Sequence, residues 1–95
     1  MRIGSVVISV AGHDKGWWYI IENTLNDNVF LVDGKHRLLS NPKQKKAKHV
    51  ILTEYFAQEL ALKLTDRQKI TDAEVRKTLK FFKNKFKETV CQRKT

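Results

Sequence analysis

Hydrophobic residues in the first half of the chain follow the short spacing of β-strands, and turn residues separate the runs. Strands are predicted over 6–10, 17–21 with an extension towards Leu25, 29–32 and 35–39, with a last short strand over 50–52. Asp33-Gly34 is a strong signal for a two-residue hairpin before the fourth strand. Because a small flat sheet exposes its edges, the pattern predicts a strongly bent sheet that closes into a small barrel.

The pattern changes after Pro42. Residues 43–49 contain no acid and almost no apolar side chain, which predicts an extended basic surface loop. From Thr53, a residue type that caps helix N-termini, apolar side chains recur every four positions and predict a first helix that ends near 65–66. The apolar positions of this helix are Phe56, Leu60 and Leu64.

The second helix has the clearest start signal in the chain. Thr71 and Glu74 have capping-box spacing, and Ile70 and Val75 can form a hydrophobic staple around the same helix start. One face of the helix carries the apolar stripe Val75, Leu79, Phe82 and Phe86. A basic face lies next to it, rotated by about 100°, and consists of Arg76, Lys80, Lys83 and Lys87.

These elements predict a mainly β fold with C-terminal helices. Residues 1–52 form the β unit, including the basic loop 43–49, and residues 53–95 form a two-helix extension that packs on it and ends in a basic tail. Ninety-five residues, 41% of them apolar, suffice for one compact core. The net charge of +9 lies in two blocks: 35–52 has six Lys or Arg and no acid, and 75–95 has eight and one. Such segregated charge favours a polyanionic partner.

No sequence motif indicates catalysis. The chain has no phosphate-binding glycine loop, no nucleophile elbow and no metal-ligand spacing, and its three histidines are dispersed. We therefore expect no enzymatic activity, no cofactor and no bound metal. The single cysteine, Cys91, cannot form an internal disulfide, and no apolar run approaches the roughly 20 residues that span a bilayer. A cytoplasmic protein without a membrane partner is expected.

Nucleic-acid binding has more candidate residues. The lysines of the basic loop can follow a phosphate backbone, and the planar guanidinium of Arg37 suits bidentate contact with phosphate or guanine. A merely solvated loop is the alternative. Adjacent strand residues point to opposite faces, so one of Trp17 and Trp18 is exposed or covered by the C-terminal helices. An exposed indole could stack on an unpaired base, although packing under a helix is commoner, and the off-stripe Phe81 is similarly ambiguous.

Two segments resemble a known family. The stretch from Gly4 to Gly16 resembles a KOW motif, in which a strand is followed by a glycine-lysine-glycine loop and a second strand. The stretch from Val32 through Asn41-Pro42-Lys43 to Lys48-His49 is similar to large-subunit ribosomal proteins of the fourteen-e type and their short bacterial relatives. The helix start at 71–75 is similar to the bacterial relatives.

The resemblance implies a five-stranded SH3-like (KOW) barrel whose loops contact RNA without a cofactor. Carried onto this chain, it implies that Gly12 and Gly16 shape the KOW loop and that Lys15 faces phosphate. The adjoining RNA-binding surface would consist of Arg37, Lys43, Lys45, Lys46 and Lys48. His13 and Trp17 stand where the relatives often have arginine, so an aromatic contact could replace a phosphate contact there.

The leading hypothesis is an RNA-binding protein associated with the ribosome or ribosomal RNA, which contacts structured RNA through the KOW loop and the basic loop. The face formed by Arg76, Lys80, Lys83 and Lys87 is a second basic surface. Ribosomal proteins are further candidate partners, and a monomer is expected.

The alternative is a protein-interaction module of a transcription or translation complex that docks through Trp17 or Phe81. A third interpretation, an amphipathic helix over 72–90 lying on anionic membranes, ranks last because its apolar stripe is better used against the barrel or the first helix.

Overall fold

The protein folds as a five-stranded antiparallel sheet followed by two C-terminal helices. The computed structural model describes residues 1–93, with side chains through Thr89; the last two residues of the predicted basic tail, Lys94 and Thr95, lie outside the described residues. The strands are β1 (Ser5–Ser9), β2 (Trp18–Leu25), β3 (Asn28–Val32), β4 (Lys43–Lys46) and β5 (Val50–Phe56), in the sheet order β4-β3-β2-β1-β5. A single 3₁₀ turn, Ala47–His49, connects the two edge strands. The helices are α1 (Gln58–Thr65) and α2 (Asp72–Arg93).

The predicted strand over 35–39 is wrong, and the carboxylate of Asp33 explains why. Its Oδ1 accepts backbone N–H bonds from Lys35, His36 and Arg37 at 2.8 to 2.9 Å, and the Arg37 carbonyl accepts the N–H groups of Asp33 and Gly34 at 3.0 Å. An aspartate that gathers three successive amides folds the chain into a tight turn. The backbone groups that a fourth strand needs are therefore used locally.

The fourth strand lies instead in the segment predicted as a basic surface loop. Residues 43–46 pair with β3, with Leu31 opposite Lys43 and Asn28 opposite Lys46. β4 is an edge strand, where lysine side chains reach solvent readily and oppose pairing with another chain. The apolar count along this segment gave no signal for it, because an edge strand does not need an apolar face.

The predicted start of the first helix at Thr53 is also wrong. β5 continues to Phe56, which pairs with Ser5, and the Thr53 hydroxyl donates to the Val6 carbonyl at 2.7 Å instead of capping a helix. The helix begins at Gln58, just after Ala57 donates its N–H to the Gly4 carbonyl. The four-residue apolar spacing therefore crosses a strand end and a helix, and only Leu60 of the three predicted positions is fully buried.

The sheet buries apolar side chains on both faces. One cluster, inside the curve formed by the strands, consists of Val7, Tyr19, Ile21, Val29, Leu31 and Val50. The other joins Val6, Ile20 and Val32 to the helix residues Ala57, Leu60, Val75 and Leu79. The alternation of Val6 with Val7 and of Ile20 with Tyr19 and Ile21 divides each strand between the two clusters, as the two-residue period requires. Trp18 packs on the helix-side cluster and Trp17 belongs to neither, which confirms that the adjacent indoles separate.

The second helix starts as predicted. The Glu74 N–H donates to the Thr71 hydroxyl at 3.2 Å and the Thr71 N–H to the Glu74 carboxylate at 3.4 Å, which confirms the capping box. Val75 and Leu79 are buried against the sheet, and the burial of each stabilises the folded state by roughly 1.5–3 kcal/mol. Phe82 is half-buried, whereas Phe86 is 43% exposed and meets Trp18 edge-on at 5.3 Å between ring centroids.

Two polar contacts hold the start of α2 against the loop that follows β3. The Leu39 N–H donates to the Asp72 carboxylate at 2.8 Å, and the Arg76 guanidinium donates to the Gly34 carbonyl. Gly34 has φ +76°, and a Cβ there would overlap the Asp72 carbonyl oxygen and lie 3.0 Å from the Arg76 nitrogen. The helix therefore approaches this loop as closely as a glycine permits. No helix in the described part of the chain is both long and apolar enough to cross a membrane.

We predict that Gly34→Ala lowers the free energy of unfolding by at least about 3 kcal/mol, combining left-handed backbone strain with overlap against α2. Gly16→Ala is the matched control: its φ is +90°, but a Cβ there meets no atom within 4 Å, so it should lose only about 1–2 kcal/mol. Urea unfolding of the two variants measures the difference. Equal losses would show that α2 does not pack closely at Gly34.

Candidate nucleic-acid interface

The loop between β1 and β2 is a tight reversal built on two glycines. Gly12 and Gly16 have φ +85° and +90°, values that favour glycine. The Gly16 N–H donates to the Ser9 carbonyl at 2.8 Å, and the Trp17 N–H donates to the Asp14 carbonyl at 2.9 Å. These bonds fold the loop back on the strand ends. His13 and Lys15, both predicted RNA contacts, are exposed on its surface.

Asp14, in the middle of this loop, points inward and is 3% exposed. Its carboxylate accepts hydrogen bonds from the Ser9 hydroxyl at 2.9 Å and the Tyr19 hydroxyl at 2.8 Å. It also lies 2.6 Å from the Lys45 Nζ and 3.2 Å from the Lys43 Nζ. Burial by itself raises the pKa of this carboxyl, but the four donors together hold it well below its ordinary value. Asp14 is therefore ionised, and its negative charge is matched inside the protein.

Burial and the same carboxylate together raise the pKa of Tyr19. Burial and the hydrogen bond to Asp14 both disfavour the tyrosinate, so the phenol stays protonated and donates.

The ion pairs of Asp14 involve two of the four lysines in the predicted basic loop 43–49. Lys43 and Lys45 lie on the side of β4 that faces Asp14, and only 9% of the Lys45 side chain is exposed. Lys45 also donates to the Ala11 carbonyl at 2.7 Å, so this lysine brings the basic loop into contact with the reversal. Lys46 and Lys48 are exposed and line a small pocket with Asp27. Lys43 and Lys45 are thus engaged by Asp14, whereas Lys46 and Lys48 remain exposed.

A cleft forms where the reversal, the turn after β3 and α2 come together. Its volume is about 480 Å³, within the range of roughly 300–1,000 Å³ that ligand sites occupy. The loops contribute Gly16, Trp17, Lys35 and His36, and the helix contributes Arg76, Lys80, Lys83, Asn84 and Lys87. All four residues of the predicted second basic face line this cleft, opposite Trp17.

Trp17 and His36 form an exposed aromatic pair at the cleft. Their ring centroids lie 4.6 Å apart with an angle of 36° between the planes, and Trp17 is 41% exposed. The His36 backbone is held by Asp33, whose carboxylate also lies 3.4 Å from the His36 Nδ1. The pair therefore presents apolar ring surface to solvent from a fixed loop.

The cleft has an excess of positive charge. Among the described residues, the ion pairs that fall within 4.0 Å involve Lys43, Lys45, Lys63 and His36, and none involves the cations that α2 places at the cleft. Asp33 is the acid that lines the cleft, and three backbone N–H bonds solvate its charge. Those bonds and His36 lower the pKa of Asp33 despite its burial. The cleft therefore holds one carboxylate against five cations, which are Lys35, Arg76, Lys80, Lys83 and Lys87, and its net charge is positive.

Other predicted contact residues lie away from the centre of the cleft. Arg37 is half-buried and its backbone closes the turn after β3. Phe81 is 55% exposed beside a separate groove of about 350 Å³ between the two helices. Lys35, His36 and Asn84 were not predicted as site residues. Lys35 belongs to the basic block 35–52, but its sequence position does not show that it lies beside His36 and Asn84, because the three residues join the cleft only through the Asp33 turn and the docking of α2.

Neither a scan against protein-family models nor a search of curated proteins finds a match to this chain. Within the described residues, no group of three or more His, Cys, Asp or Glu side chains could hold a metal ion.

We predict that Asp14→Asn destabilises the fold by about 3 kcal/mol at neutral pH, because it leaves the Lys45 ammonium buried without a counter-charge. The folded-state pKa of Asp14 lies below its ordinary value of 3.8, so the carboxylate stabilises the fold above that pH and loses this effect as the pH falls further. The stability difference between wild type and variant should therefore shrink below about pH 4.

Asp27→Asn, in the exposed β2–β3 turn, is the charge-matched control and should change stability by less than about 0.5 kcal/mol. Urea titrations at several pH values measure both variants. A pH-independent loss for Asp14→Asn would mean that packing, and not charge, is what the substitution removes.

Proposed function

We propose that this protein binds structured RNA, with ribosomal RNA or ribosome-associated RNA in the cytoplasm as the partner class. The observation that carries the proposal is the cleft, in which four cations of α2 face an exposed Trp17–His36 pair. Phosphate neutralisation by several lysines supplies affinity, and exposed rings accept unpaired bases. Charge and aromatic surface are thus combined in one place, as single-stranded regions of RNA require.

The proposal also agrees with the resemblance of the sequence to KOW-domain RNA-binding proteins. We propose that the sheet is an SH3-like barrel of KOW type. In support, the Val10 N–H donates to the His49 carbonyl and the Ala47 N–H donates to the Asp27 carbonyl, so the 3₁₀ turn bridges two ends of the sheet. The predicted KOW loop is the reversal around Asp14, and its end at Gly16 and Trp17 forms one side of the cleft.

The RNA surface that we propose does not include all the residues that the resemblance implies. Lys43 and Lys45 are engaged by Asp14, so we assign them to stabilising the loop. Lys15 and His13 are exposed beside the cleft's Gly16 and extend the surface. Lys46, at the end of β4, and Lys48, in the 3₁₀ turn, are also exposed and stay in the proposed RNA surface.

A protein-interaction module is the second candidate, and the groove between α1 and α2 favours it. This groove is lined by Leu60, Phe81 and Phe82 and is more apolar than the cleft. A partner that docks there would depend on Phe81 and not on the cations at the cleft.

We predict that Lys80→Glu/Lys83→Glu lowers affinity for a structured RNA at least tenfold and makes the log–log salt slope shallower by about 1.4–1.8, the value for two lost phosphate contacts. Lys77→Glu/Lys85→Glu is the control with the same change in net charge. These two lysines lie about 100° and 180° around the helix from Arg76, on the side of α2 that carries Phe81 and away from the cleft. The control variant should therefore keep most of the RNA affinity and the wild-type salt slope.

Fluorescence anisotropy with labelled RNA across a salt series measures both variants. Equal loss in the two variants would show that only overall charge matters and that the cleft is not the binding site. Retention of RNA by both, together with loss of a protein partner in Phe81→Ala, would favour the interaction module.

A further inference from the structure

We infer that the Trp17–His36 pair holds one unpaired base, so that the preferred RNA is a helix interrupted by a bulged or looped-out nucleotide. This inference rests on the proposed function, since it names the class of RNA that the cleft selects. It concerns the aromatic side of the cleft, which the salt experiment above does not test.

The exposure of Trp17 is not explained by the packing of the protein. It belongs to neither hydrophobic cluster, whereas its neighbour Trp18 packs among Tyr55, Phe86 and the helix-side core. The Trp17 backbone is fixed at both ends, because its N–H donates to the Asp14 carbonyl and its carbonyl accepts the Ser9 N–H, each at 2.9 Å. An indole held at a fixed position, with 41% of its surface exposed, loses little conformational entropy when a base stacks on it.

The helix side of the cleft suits the backbone of a single strand. Arg76, Lys80, Lys83 and Lys87 are separated by four, three and four residues, so they form a row about 16 Å long on one face of α2. A row of this length can contact several successive phosphates. Asn84, which lies between the last two lysines at the cleft, adds amide donors and acceptors for a base edge.

One aromatic pair beside one row of cations selects against a fully paired duplex. Paired bases are covered on both faces by their neighbours, so the indole can stack only on a base that has left the helix. The Trp17 and His36 ring centroids lie 4.6 Å apart, so no base fits between the rings and a base can stack only on the outer surface of the pair. Trp18 also lines the cleft but is half-buried against Tyr55 and Phe86. The cations would bind the phosphates on either side of that base.

The test compares two RNA hairpins with the same terminal loop and the same stem sequence, one with a fully paired stem and one with a single extra adenosine bulged from the stem. Wild type should bind the bulged hairpin about tenfold more tightly, the order expected for one base stacked on an aromatic ring. Trp17→Leu should bind both hairpins with the affinity that wild type shows for the paired one. Phe81→Leu, which removes an exposed ring outside the cleft, should keep the preference.

A second measurement detects the stacking of the bulged base directly. The bulged adenosine is replaced by 2-aminopurine, and the fluorescence of 2-aminopurine should be quenched when the base stacks on Trp17 in the complex. Trp17→Phe should retain most of this quenching. Equal affinity of wild type for the two hairpins, or a bulged 2-aminopurine that is not quenched, would overturn this inference while leaving the RNA-binding proposal intact. Failure of wild type to bind either hairpin would overturn both.

Discussion

The carboxylate of Asp14 joins parts of the chain that are otherwise connected only through the sheet. It accepts hydrogen bonds from β1 through Ser9, from β2 through Tyr19 and from β4 through Lys45, which is 31 positions away in sequence. A buried charge is stable only if its partners remain in place, so this group fixes the reversal against the edge strand. Since Trp17 follows the reversal directly, the position of the exposed indole depends on the same carboxylate.

The docking of α2 supplies the other half of the candidate site. Val75 and Leu79 bind the helix to the sheet, and the contacts of Asp72 and Arg76 bind its start to the turn after β3. Because the basic face is only about 100° from the apolar stripe, burying the stripe necessarily turns the cations towards the loops. The cleft is thus a consequence of amphipathic packing. Arg76 also holds the helix start, whereas Lys80, Lys83 and Lys87 make no ion pair within 4.0 Å among the described residues.

Sequence patterns were most reliable where one local interaction decides the structure. The capping box at Thr71 and Glu74, the opposite directions of Trp17 and Trp18, and the first three strands all follow from short-range spacing, and all are present. The patterns failed where a side chain competed with them. Asp33 gathered three amides and removed the predicted strand at 35–39, and the four-residue spacing from Phe56 ran across the end of β5.

The amino-acid sequence by itself determined a β unit followed by helices, a strongly basic chain and an amphipathic second helix with adjacent apolar and cationic faces. It also indicated all four helix cations and Trp17 as candidate contacts. Only the tertiary structure decided which lysines face inward, because the partner of Lys45 lies in a distant loop that composition cannot reveal. It also decided that Trp17, His36 and the α2 cations share one cleft, since that proximity depends on how the helix packs and how the Asp33 turn closes.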